Sequence, residues 1–131
     1  MIRAGILGPT GYAGLELINI LLRRTDVEIV YLGSRREPQP LISETWPQLR
    51  GRLDMRCSSM EPKDLPVMDV AFIALPHTVA MEHVPALLER GIAVVDLSAD
   101  YRIKDAAEYT KHYKHEHTDA ARLSQAVYGL P

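Results

Sequence analysis

Apolar residues gather along the chain in four short runs, Ile2–Leu7, Val27–Leu32, Val70–Leu75 and Ile92–Leu97, each closed by small or turn-forming residues. Within each run the hydrophobicity is nearly continuous rather than alternating, as in a parallel strand covered on both faces. Between the first two runs, Leu15, Ile18, Leu21 and Leu22 recur at helical spacing and predict a helix over Tyr12–Arg24. Glu16 near its start and Arg23 and Arg24 at its end match the sign of the helix dipole, and Thr25-Asp26 turns the chain into the second strand. A second helix is expected over much of Thr78–Arg90, with Ala80, Val84, Leu87 and Leu88 on one face, Thr78 as cap and Gly91 as stop. Pro85 disturbs this stretch, because it removes one backbone donor and either kinks the helix or begins a second piece.

From Ser34 to Pro66 the periodicity fades and prolines accumulate (Pro38, Pro40, Pro47, Pro62, Pro66), which predicts loop with one short strand near Met55–Ser58. After Leu97 the chain turns polar, with a short helix expected over Asp105–His115 and a further strand beginning in Ala126–Gly129. Strand, helix and strand, followed by the same order again, imply right-handed crossovers and an α/β fold: an open, doubly wound, mainly parallel sheet with helices on both faces. The 131 residues suit one domain, residues 1–131, with little room for two.

Bulk chemistry narrows the function classes. Hydrophobic residues at 47% and charged residues at 24% are ordinary for a globular protein that buries a core. A net charge of -2 offers no general attraction to nucleic acid or an anionic membrane, so any anion site must be local. The single cysteine, Cys57, excludes an internal disulfide and fits a reducing compartment. No apolar run approaches the length of a membrane span. A soluble, cytoplasmic protein is expected.

The local anion site has a clear candidate in Gly8-Pro9-Thr10-Gly11-Tyr12-Ala13-Gly14, between the first strand and the first helix. Glycines let backbone N–H groups approach a phosphate closely, and the following helix N-terminus adds a favourable dipole. The glycine spacing, at 8, 11 and 14, is a variant of the tighter dinucleotide fingerprint; a tight turn without ligand is the bland alternative. At the end of the second strand, Leu32-Gly33-Ser34-Arg35-Arg36 carries a hydroxyl and two guanidinium groups where NAD-specific domains place an acid. An arginine fork suits the 2′-phosphate of NADP. Ala74-Leu75-Pro76-His77 and Asp96-Leu97-Ser98-Ala99-Asp100-Tyr101-Arg102 follow the next two strands, at the same edge of the sheet, where ligands of doubly wound folds sit.

These segments, together with Val127-Tyr128-Gly129-Leu130-Pro131, resemble N-acetyl-gamma-glutamyl-phosphate reductases in order and over nearly the whole chain. The glycine loop alone also fits aspartate-semialdehyde dehydrogenases; Asp96–Arg102 and the terminal Tyr128–Pro131 are more specific. The resemblance implies a Rossmann-like domain and NADPH-dependent reduction of a small-molecule acyl phosphate to a semialdehyde in arginine biosynthesis. A cysteine thiolate would displace phosphate, and the thioester would accept hydride from the cofactor. By position, Gly8, Thr10, Gly11, Tyr12 and Gly14 would cradle the pyrophosphate, and Ser34 and Arg35 would face the 2′-phosphate. Leu75, Pro76, His77 and Ser98 would line the nicotinamide side. The family's nucleophile lies in a turn beyond the terminal Tyr-Gly-Leu-Pro, so these residues are expected to be a fragment without catalytic residues of its own. The full-length protein is expected to be a homo-oligomer. A lysine-pathway aminoadipyl-phosphate reductase and a non-catalytic dinucleotide-binding module are the alternatives.

Other reactive residues have plainer readings. Cys57 sits on the expected middle strand, away from the convergent loops, and reads as a buried structural thiol. His112, His115 and His117 are interleaved with lysines that oppose a cation, so they read as surface. Asp96 is expected to anchor its loop by accepting backbone hydrogen bonds, and Trp46 to pack.

Overall fold

The computed structural model describes residues 1–76, 78–98, 107 and 119–127. Strand β1 (Ile2–Leu7) leads through the glycine loop into helix α1 (Tyr12–Leu22) and strand β2 (Val27–Gly33). The short helix α2 (Ile42–Thr45) and 3-10 turns at Pro47–Leu49 and Pro62–Asp64 follow. Strand β3 (Val70–Ile73), helix α3 (Ala80–Glu89), strand β4 (Ala93–Asp96) and a 3-10 turn at Ala120–Gln125 complete the described elements. The sheet order is β2-β1-β3-β4 and all three pairings are parallel.

β1 lies at the centre, so its apolar run divides between two cores. Ala4 and Ile6 pack on one face with Leu15, Ile18 and Leu21 of α1 and with Ile42, Leu49 and Cys57. Leu7 joins the opposite face, where Ala71 and Ile73 of β3 meet Ala80, Val84 and Leu87 of α3. Burial on both sides explains the continuous hydrophobicity of the strands. The β1–β2 register slips once: Ala4 faces Ile29 and Gly5 faces Tyr31, leaving Val30 as a bulge. Tyr31 is buried there and its hydroxyl donates to the Ser59 carbonyl at 2.7 Å. A Cβ at Gly5 would stand 2.6 Å from Met68 Sδ, so this strand position admits only glycine without a shift.

Several sequence-based boundaries shift. α1 ends at Leu22, with Arg23 as its C-cap; Glu16 falls beyond the first turn, and Arg24 pairs instead with Asp26 at 2.7 Å. Thr78 does not cap α3: it adopts a positive φ of 75°, and Val79 is the N-cap residue. Pro85 lies within α3 without ending it, and a Schellman closure at Gly91 (φ 75°) stops the helix through Ile92 N–H to Leu87 O at 3.1 Å. The expected strand at Met55–Ser58 is reduced to two isolated bridges, Gly33 with Ser58 and Leu41 with Arg56. The expected helix over Asp105–His115, Ala107 excepted, and the residues from Tyr128 onward lie outside the described residues; Ala126 and Val127 form no strand.

At the amino ends of the strands, Arg3 and Asp69 tie β1 to the start of β3. The Arg3 backbone N–H donates to Asp69 Oδ2 at 2.8 Å, and the guanidinium grips both carboxylate oxygens at 3.2 and 3.0 Å. The Asp69 N–H donates back to Arg3 O at 2.8 Å. The hydrogen bonds from Arg3 hold the Asp69 carboxyl down at about 2, against an ordinary 3.8. A depressed folded-state value means that the pair stabilises the fold above the ordinary carboxylate range and loses that contribution as pH falls through the folded value. Thermal unfolding followed by circular dichroism is therefore expected to show stability falling between about pH 4 and 2. Asp69→Asn is expected to be less stable at pH 7 and to lose part of that acid dependence; an unchanged acid profile would contradict the assignment.

Candidate functional site

Because the four strands are parallel, their carboxyl ends fall on one edge of the sheet, and four loops leave from it: after Leu7, Gly33, Ile73 and Asp96. Backbone hydrogen bonds tie these loops to one another. Gly8 N–H donates to Gly33 O at 3.0 Å, Ala74 N–H to Leu7 O at 2.8 Å, and Leu97 N–H to Ile73 O at 2.9 Å.

The three glycines of the first loop do different work. Gly8 has φ 90°, and a Cβ there would lie 2.4 Å from the Ala74 carbonyl oxygen. A Cβ on Gly14 would lie 2.4 Å from Gly8 O and 2.7 Å from Pro9 Cα. Both are demanded by the protein's own close packing of turn, strand and helix. Gly11 differs: its φ of -90° suits any residue, and a Cβ would meet nothing within 4 Å. It faces open space at the start of α1. No side chain caps that end and no acid occupies its first turn, so the helix offers uncapped N–H groups and a positive dipole end. A phosphate fits there because the chain supplies donors and no competing anion.

Trp46 sets the attitude of this loop. Its indole N–H donates to the Pro9 carbonyl at 3.0 Å, and its ring lies 5.7 Å from that of Tyr12, tilted by 44°. Tyr12 itself is 81% exposed on the open side of the turn. A packing role for Trp46 is thus only half of what it does, and no local pattern in Glu44–Pro47 points to a partner 37 residues away.

Across the edge, the turn after β2 is held from within. Ser34 is buried; its hydroxyl accepts from Arg36 N–H at 3.1 Å, its N–H donates to Ser58 O at 3.0 Å, and its carbonyl accepts from Gln39 Nε2 at 2.8 Å. Arg35 points outward, and its Nη2 reaches Glu82 Oε2 at 2.5 Å and His83 Nε2 at 3.1 Å on the first turn of α3. A guanidinium has no acceptor, so His83 Nε2 must accept, which places the imidazole proton on Nδ1. Burial, followed by the charge of Arg35, pushes His83 below its ordinary range, consistent with a neutral ring.

The loop after β3 brings Leu75 against the glycine turn, 3.1 Å from the Cβ position of Gly8, while Pro76 accepts from Val79 N–H at 3.2 Å. His77 lies outside the described residues, as does Asp100. Ser98 is buried after β4, with its N–H 2.8 Å from Asp96 Oδ1 and its hydroxyl 3.0 Å from Asp96 Oδ2, so Asp96 anchors this loop. Cys57 is buried in the core beside α1, and burial raises its pKa against the opposing charges of Arg36 and Arg56. A raised value disfavours the thiolate that a nucleophile needs. His112, His115 and His117 are outside the described residues, among which no metal-sized cluster of His, Cys, Asp and Glu occurs. No helix among the described residues is long and apolar enough to cross a membrane.

An open parallel sheet with an uncapped glycine turn at its carboxyl edge, and a basic turn after the neighbouring strand, is the architecture of a dinucleotide-binding α/β domain. Comparison with known proteins agrees. Residues 3–131 match the family described as semialdehyde dehydrogenase, NAD binding domain, and the chain belongs to that family. Among its relatives, the N-acetyl-gamma-glutamyl-phosphate reductase of Thiobacillus denitrificans is 46% identical over 131 residues, and that of Herminiimonas arsenicoxydans 45% over 130. The matches span 100% and 99% of the chain but 38% of each relative. Among solved structures, aspartate semialdehyde dehydrogenase with NADP from Candida albicans superposes with a TM-score of 0.68 at 27% identity, covering 81% of this chain and 32% of that one.

The glycine geometry separates folding from binding. Gly8→Ala puts a Cβ against a carbonyl at positive φ and is expected to cost at least about 2 kcal/mol in chemical unfolding. Gly11→Ala is expected to stay within about 1 kcal/mol of the parent yet to weaken dinucleotide binding in a calorimetric titration. Full binding by a folded Gly11→Ala protein would remove Gly11 from the site.

Proposed function

We propose that this chain is the NADP(H)-binding part of an N-acetyl-gamma-glutamyl-phosphate reductase, which reduces an acyl phosphate to a semialdehyde in arginine biosynthesis. The observation that carries this reading is the match of the whole chain, at 41–46% identity, to relatives bearing that name. The order of its loops along one sheet edge supports it. Residues 1–131 act as one domain in this reading. The nucleophile and the substrate pocket are assigned to parts of the relatives beyond the 38% matched here, where assembly of a homo-oligomer is also placed.

Within this chain the roles divide by loop. Gly11 and the first N–H groups of α1 hold the pyrophosphate, with Thr10 and Tyr12 beside it and Gly8 and Gly14 keeping the turn tight. The turn after β2 selects the cofactor. An acid there would bind the ribose hydroxyls of NAD; Arg35 instead presents a guanidinium to a 2′-phosphate, while Ser34, buried with its hydroxyl on the Arg36 N–H, holds the turn that carries it. Leu75, Pro76, His77 and Ser98 line the nicotinamide side in this reading, Leu75 by bordering the glycine turn and Ser98 through its Asp96-anchored loop. When bound, the cofactor supplies hydride to the acyl group. The chain's own task is to hold it in register at the strand ends and to keep the loops fixed around it.

Arg35 gives the sharpest test. A charge-assisted contact of this kind is worth about 1.5–3 kcal/mol, roughly tenfold or more in affinity. The chain is expected to bind NADP+ more tightly than NAD+ in calorimetric titrations, with the difference shrinking as salt rises. Arg35→Gln is expected to abolish the difference while leaving NAD+ binding unchanged. Equal affinities in the parent chain, or a preference untouched by Arg35→Gln, would refute the NADP assignment.

A further inference from the structure

Arg35 is already occupied. Of its three guanidinium nitrogens, Nη2 alone meets Glu82 Oε2 at 2.5 Å and His83 Nε2 at 3.1 Å. The planar group has two edges that can donate a parallel pair of hydrogen bonds, one formed by Nε with Nη2 and the other by Nη1 with Nη2. Both need Nη2. Its two protons are committed to α3, so neither edge can grip a phosphate in the two-pronged manner that makes arginine a strong phosphate ligand. Only single hydrogen bonds from Nε or Nη1 remain until the contacts with α3 give way.

On this basis we propose that Glu82 is a specificity-determining residue: a resident carboxylate that a 2′-phosphate must displace from Arg35, and that thereby limits the preference for NADP over NAD. The proposal rests on the assignment of Arg35 to the 2′-phosphate. Its sign follows from electrostatics under either outcome at the atomic level. If the Arg35–Glu82 pair opens, its energy is lost to the bound state. If it persists, a carboxylate stays beside a phosphate dianion and repels it. His83 is neutral on the geometry above, so it occupies a proton of Nη2 without adding a countercharge. The side chains of Arg35 and Glu82 are 56% and 53% exposed, which keeps the pair weak, displaceable and salt-sensitive. NAD carries no 2′-phosphate and makes no demand on Arg35, so the carboxylate acts on one cofactor and not the other. That selectivity separates this role from a general effect on folding or on the glycine turn.

The test is a double-mutant cycle read by calorimetric titration of the chain with NADP+ and NAD+, comparing the parent, Glu82→Gln, Arg35→Gln and the double variant. Glu82→Gln is expected to tighten NADP+ binding by roughly two- to fivefold, the range of an exposed ion pair, with NAD+ unchanged. The gain is expected to vanish in the Arg35→Gln background and to shrink in high salt. Weaker NADP+ binding by Glu82→Gln, with the parent preference still dependent on Arg35, would overturn the proposal and make Glu82 a residue that orients the guanidinium. Equal tightening for both cofactors, or a gain that survives Arg35→Gln, would overturn it as well. A preference for NADP+ that Arg35→Gln leaves intact would instead overturn the cofactor assignment beneath it, and binding of neither nucleotide would overturn both.

Discussion

The close passage of the chain at Gly8 governs the geometry of the whole edge. There the backbone leaves the central strand at φ 90°, so near the β3 loop that a single added carbon would stand 2.4 Å from the Ala74 carbonyl. One turn later Gly14 meets the backbone of Gly8 and Pro9 with the same tightness. This compression fixes where α1 begins and therefore where its positive end points. Gly11 sits at the crest, where an added Cβ would meet nothing within 4 Å. The loop is thus rigid where it meets the sheet and bare where it faces outward, a combination that suits the approach of a phosphate. Trp46, donating to Pro9 O at 3.0 Å, holds the other side of the same turn.

Charge at this edge is arranged locally, since the net charge of -2 gives the chain no attraction for anions at large. The helix start supplies one positive pole without an opposing acid, and Arg35 supplies a second. The two differ in readiness. The N–H groups of α1 have no side-chain cap to displace, whereas the Arg35 guanidinium is held by Glu82 and His83. A dinucleotide would find its pyrophosphate site prepared and its 2′-phosphate site in need of an exchange of partners. On the proposed reading, affinity common to both cofactors and discrimination between them reside in separate loops.

Much of this was legible in the residues. The four continuous apolar runs identify the strands because burial on both faces removes polar alternation, and β1 spans Ile2–Leu7 as the pattern implies. The glycine loop and the basic turn after β2 are local signals with a direct physical meaning. Other features depend on contacts that no local pattern carries. Trp46 meets Pro9 and Arg35 meets Glu82 only because the sheet order brings distant segments together. Thr78 has the composition of a helix cap, yet its backbone sits at φ 75° and the helix starts later. α2 and the two 3-10 turns in the proline-rich segment were invisible because four or three residues show no helical period. Ser34 was expected to face a phosphate, but whether its hydroxyl turned inward depends on the Arg36 backbone, which sequence alone does not position.

On the proposed reading, a dinucleotide lies across the strand ends from the turn at Gly11 to the turn at Arg35. Two-dimensional 15N–1H NMR of the chain titrated with NADP+ tests it most directly, since backbone amides report the site residue by residue. Saturable shifts are expected at Gly8, Gly11, Tyr12, Arg35 and Leu75, with Arg24 and Glu28 at the far end of the sheet unmoved. Shifts confined to that far end, or none at any concentration, would contradict it.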